Sequence, residues 1–110
     1  ATPSAMEHLT YAALRTKWLN DNIGLPFDGE DLLKEAIRVL NQVHRRLIKW
    51  TKLEMTEVER DSIEKFLKWM TLYFGQFPVI DIDKATFWAN AEIKKCAQNV
   101  IDKNQTYIEG

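Results

Sequence analysis

The sequence predicts an all-α protein, a compact bundle of four or five helices. Breakers are scarce: four glycines and three prolines occur in 110 residues. The interior ones cluster at Gly24, Pro26 and Gly29 and again at Gly75 and Pro78, leaving long unbroken blocks between them. Inside those blocks apolar residues recur at three- and four-residue steps. The one β-branched stretch, Gln76 to Ile82, has no second strand to pair with and reads as an extended loop.

The first block runs from about Ala5 to Asn20, with Ser4 and Glu7 at capping-box spacing. Tyr11, Leu14 and Trp18 line one side, and Leu9 and Ala13 another. The second block is the most regular. Asp28 stands at its cap position with Glu30 and Asp31 in the first turn, where carboxylates favour the helix dipole. Leu33, Ile37, Leu40, Val43 or His44, and Leu47 then follow helical spacing. The third block opens on a Thr56–Glu59 capping box, carries Ile63, Phe66, Leu67, Met70, Tyr73 and Phe74 on one stripe, and meets a natural stop at Gly75. Trp69 lies off that stripe and is expected to be exposed. The last region starts near Asp83. Its stripe drifts from Phe87, Trp88 and Ala91 to Ile93, Cys96 and Val100, which predicts two helices broken near Asn90.

The length suits one domain, residues 1–110, with Ala1 to Ser4 read as an appended remnant and 105–110 as a fraying tail. Hydrophobic residues make up 45% and charged residues 28%, which excludes a disordered chain. A net charge of −1 gives no bulk argument for nucleic acid or an anionic membrane. No apolar run approaches the roughly 18 residues that a membrane span requires. Cys96 is the single cysteine and sits on an apolar stripe, so a buried, inert thiol is expected. The absence of disulfide pairs points to a reducing, intracellular compartment.

Chemistry finds little footing. His8 lies on a polar stretch and His44 beside the second stripe, neither with a catalytic partner in view. There is no zinc, calcium or phosphate-loop spacing. Asp81 and Asp83 read as caps of the next helix rather than as a cation site. Neither a cofactor nor a metal is expected, and an enzyme is the weakest reading.

Surfaces offer more. Ile23, Leu25 and Phe27 fall in the first interhelical link, and Phe77, Val79, Ile80 and Ile82 in the second. Links usually avoid so many apolar side chains. Plugging the end of the core accounts for part of them; the remainder fits a pocket for a partner's apolar side chain. A rival reading is nucleic-acid binding by a basic strip of Arg38, Arg45, Arg46, Lys49 and Lys52, with Trp50 inside it for stacking. A third is a self-associating subunit with Trp50, Trp69 and Trp88 in the interface.

Phe77-Pro78-Val79 followed by Asp83-Lys84-Ala85-Thr86 resembles the interhelical loop and next helix of the integrase-binding domain of lens-epithelium-derived growth factor, a member of the N-terminal helical domains of transcription elongation factors. The resemblance spans roughly residues 20 to 103. It implies a nuclear scaffold that binds short disordered motifs of transcription or chromatin proteins. Phe77 and Val79 would line the pocket; Ile23 and Asp21 would form its other wall, with Asp21 accepting hydrogen bonds from the peptide. The expected function is therefore a protein-interaction module, intracellular and nuclear, with a protein or disordered peptide as partner and no membrane.

Overall fold

The computed structural model describes residues 3–50, 54–101 and 107–108. They form an all-α bundle of four helices, with no strand among them: α1 (Pro3–Asn22), α2 (Gly29–Trp50), α3 (Glu57–Tyr73) and α4 (Val79–Ile101), with a single 3₁₀ turn over Phe74–Gln76. Among these helices none is long and apolar enough to cross a membrane.

Packing runs in the order α4, α1, α2, α3. α1 rests most extensively on α4 and also on α2, and α2 rests on α3. α2 therefore buries two flanks, which explains why Ala36 and Val39 join Leu33, Ile37, Leu40 and Val43 in the core. α1 has a weak apolar signal because its buried residues mix Met6, Leu14 and Leu19 with the small Thr10, Ala13 and Thr16. The two threonine hydroxyls donate to the carbonyls of Met6 and Ala12, each at 2.8 Å, so they are buried without orphaned polar atoms. α4 answers with Ala85 and Ala89, both buried, and with Cys96 at its far end. The free cysteine is indeed buried.

The Thr56–Glu59 capping box forms as expected: the Glu59 N–H donates to the Thr56 hydroxyl at 3.2 Å, and the Thr56 N–H to the Glu59 carboxylate at 2.8 Å. Gly24 ends α1 in the left-handed region, at φ 97°, and donates to the Leu19 carbonyl.

Several expectations need correction. α1 begins at Pro3, before Ser4, so Ser4 is not its cap; proline is favoured in the first turn, where its missing N–H costs nothing. Gly75 does not stop α3 through a left-handed turn; the 3₁₀ turn does so instead. The segment from Val79 to Ile82 is the first turn of α4 rather than loop, because Pro78 supplies the carbonyl to which Asp81 and Ile82 donate. Asp83 therefore lies inside α4 and is not a cap. α4 also continues through Asn90 without a break; Phe87 and Ala91 of the expected stripe are exposed, and the face turned to the core runs straight through Ala85, Ala89, Ile93 and Cys96.

Trp69 is 4% exposed, not free, because Gly29 leaves room for its ring and the Pro26 carbonyl accepts from its indole N–H at 3.3 Å. Within the stretch expected to fray, Tyr107 and Ile108 pack against the bundle, the latter 1% exposed, and the rest of 105–110 lies outside the described residues. A two-residue contact is too short to leave a periodic signal.

Candidate interaction surface

The first interhelical link and the end of α3 meet. Phe27 lies 5.0 Å, ring centre to ring centre, from Tyr73, which in turn lies 5.6 Å from Trp69. Phe74, the next residue, makes an edge contact with Phe77 at 6.2 Å and carries the Arg15 guanidinium over its ring at 5.0 Å. The consecutive pair Tyr73–Phe74 thus joins the two links that the sequence singles out. Gly29 fixes this junction, since a Cβ there would stand 2.4 Å from the Trp69 ring and 2.8 Å from Leu25.

The seven apolar-surface residues divide. Leu25 packs on the core, and Phe77 and Ile82 are half-buried. Of these three Leu25 is the one packed against the buried core, while Phe77 rests on Phe74. Ile23 and Ile80 are exposed, Phe27 is 77% exposed and Val79 76% exposed. Asp21 is exposed and its carboxylate accepts from Lys17 at 3.0 Å, one turn back on α1, so it already has a cationic partner.

Phe27 stands apart for a second reason: its φ is +55°, the one positive value among the described non-glycine residues. Beside it a shallow groove of about 390 Å³ is lined by Phe27, Leu32, Trp69 and Leu72, with Lys65 and Lys68 on its flank. Leu72 and Leu67 carry the apolar surface on along the outer face of α3. Leu67, expected on the α3 stripe, is thus exposed, and Leu72 carries no expectation from the sequence. Leu72 falls outside the α3 stripe, and an off-stripe leucine was the available signal.

The basic strip is partly spent on the protein itself. Arg46 donates from Nη2 to both carboxylate oxygens of Glu59 across the α2–α3 corner, and Arg38 pairs with Glu35 within α2. Arg45 and Lys49 lie on the exposed side; Lys52 and the Trp50 side chain fall outside the described residues. Burial alone would push the Glu59 carboxyl up, but the bonds from Arg46 and Thr56 outweigh it and hold the pKa below its ordinary 4.5. Arg46 therefore fixes a helix junction and is a poor phosphate ligand. The tryptophan interface loses Trp69 to the core, and Trp88 is half-buried with the Lys17 ammonium 5.9 Å from its ring centre.

The chain matches no family model, no curated protein and no solved structure.

His44 is 8% exposed and stacks on Tyr107 at 3.6 Å. Burial pushes its pKa below 6.5, so the ring is neutral at physiological pH. Among the described residues no group of three or more His, Cys, Asp or Glu side chains is placed to hold a metal ion.

Proposed function

We propose that the chain is a protein-interaction module that binds a short peptide segment at the Phe27 end of the bundle. One observation carries this reading. Phe27 combines a left-handed backbone with a side chain left mostly in solvent. A left-handed non-glycine residue costs on the order of 1–3 kcal/mol, and such strain concentrates at ligand-contacting sites. Folding gains little from Phe27, because its ring touches Tyr73 and is otherwise open to water. An exposed, positioned aromatic beside an apolar groove has the form of a binding hot spot.

The groove sets the chemistry of the occupant. A large apolar side chain fits between Phe27, Trp69 and Leu72; Asp28 also lines the groove and Lys65 is already paired with Asp61 at 3.4 Å, so Lys68 is the cation that favours a carboxylate next to it. The segment is thus an apolar residue with an acidic flank. A short motif from a transcription or chromatin protein, bound in the nucleus, is the finer form of this reading. It rests on the resemblance around Phe77 to Thr86 alone.

The test is selection from a random peptide-display library on the intact chain, with Phe27→Gly as the counter-target. Enriched sequences should share an apolar residue with an acidic neighbour and lose binding to the variant. Enrichment that survives Phe27→Gly, or none at all, would remove this surface from consideration.

A further inference from the structure

A second site lies on α1 and α2, away from Phe27, and the chain fills it with its own residues. Asn41, on α2, holds the main chain of Ile108 from both sides. Its Nδ2 donates to the Ile108 carbonyl at 3.1 Å, and its Oδ1 accepts from the Ile108 N–H at 2.8 Å. A side-chain amide used this way recognises the peptide backbone itself, whatever side chain the residue carries. The Ile108 side chain then enters the core cluster and is 1% exposed.

Tyr107 is read separately. Its ring lies nearly parallel to His44 at 3.6 Å, and its hydroxyl donates to Thr10 Oγ1 at 3.1 Å. Thr10 is fully buried and positioned by its own bond to the Met6 carbonyl. The His44 Nδ1 is buried in the floor of this seat and has no hydrogen-bond partner among the described residues. The polar atoms that grip the dipeptide therefore come from helices 67 and 97 residues away in sequence and form a preset surface rather than part of the tail. Ordinary core residues are held by apolar contact, with main-chain groups bonded inside their own helix. Here the main-chain bonds come from a distant side chain, as they do for a bound peptide.

We propose that this seat is a peptide-binding site for a tyrosine followed by a branched aliphatic residue, and that Tyr107–Ile108 occupies it as a tethered ligand which a partner segment of the same chemistry displaces. The tether gives the internal dipeptide a high effective concentration, so the intact chain admits a competitor only weakly.

The experiment uses the full chain carrying Tyr107→Ala and Ile108→Ala together. The probe is a fluorescent synthetic peptide with the sequence of residues 103–110. The double variant should bind the probe on the order of 10-fold or more tighter than the intact chain does, because the seat is vacated. Adding Asn41→Ala should abolish binding, and a probe with alanine in place of tyrosine and isoleucine should not bind. A helical double variant that ignores the probe, or that binds both probes equally, overturns the proposal. If the double variant loses its helical circular dichroism, the same probe should restore it in a saturable way, and failure to restore it is equally decisive against the site.

Discussion

The α2–α3 corner and the end of the bundle that carries the α1–α2 link fix helices by different means. At the corner, polar groups close on one another. Glu59 caps α3 through Thr56 and pairs with Arg46 of α2, so one carboxylate serves a helix terminus and an interhelical contact at once. At the other end, rings do the fixing: Trp69 over Gly29, Tyr73 beside Trp69, and Phe27 on Tyr73. The polar corner satisfies its own groups and leaves little for a ligand. The aromatic end seals its inner rings and leaves the outermost in water. A functional surface is easier to extend from the second kind of junction, because apolar contact is not directional and an outer ring accepts further partners.

The largest effect belongs to the aromatic end. Gly29→Ala should destabilise the fold by about 3 kcal/mol, the upper part of the range for overpacking a tight site. Trp69 cannot retreat easily, since its indole bonds Pro26 and its ring abuts Tyr73. Chemical denaturation of Gly29→Ala, Trp69→Phe and the double variant measures this. The smaller ring should recover part of the loss, and additive effects would show that the two residues do not constrain each other.

The corner should respond less. Glu59→Ala removes a cap and a charge-assisted pair together and should cost about 2 kcal/mol. Glu59→Gln keeps a capping side chain but no charge, and should cost about half as much. Because the folded state holds the Glu59 carboxyl below 4.5, its contribution is present above that pH and is lost as pH falls through the folded value. Thermal melts from pH 7 to pH 3 should show a flatter acid limb for Glu59→Gln than for the intact chain.

The Tyr107 seat has its own pH signature. The unfolded chain protonates His44 near 6.5, whereas burial lowers that value in the fold, so stability declines as pH falls below 6.5. Burial raises the Tyr107 phenol above 10.0, so stability also declines as pH rises through 10.0. His44→Phe, which keeps the stack, should flatten the mildly acidic limb of the melting curve. Tyr107→Phe should flatten the alkaline one. Unchanged limbs would mean that neither ring couples to folding.

What the sequence made legible follows from how local each feature is. The α2 stripe and the Thr56–Glu59 box could be read directly, since each depends on spacing within one or two turns. The start of α4 could not, because β-branched residues beside a proline suit a strand as well as a first helical turn, and the absence of a pairing partner argued against only the strand. Trp69 looked exposed because its space comes from Gly29, forty residues earlier, in another helix. Tyr107 and Ile108 carried no pattern at all, for their contacts are to Thr10, Asn41 and His44. The surface was half legible: the cluster of apolar residues in the two links was visible, but which of them the core absorbs is decided by packing.

The smallest expected effect on stability is the sharpest test of the comparison. Phe27→Gly removes a left-handed strain of about 1 kcal/mol or more. Against that stand the added backbone freedom of glycine, roughly 0.5–1 kcal/mol, and the loss of one ring contact with Tyr73, about 0.5 kcal/mol or slightly more. These terms nearly cancel, so the denaturation midpoint should move by no more than about 0.5 kcal/mol in equivalent stability. Phe27→Ala keeps the strained backbone while losing the same ring, and should be the less stable of the two. If instead both variants unfold readily, Phe27 belongs to the fold as Trp69 does, and the distinction between an inner structural ring and an outer recognition ring disappears.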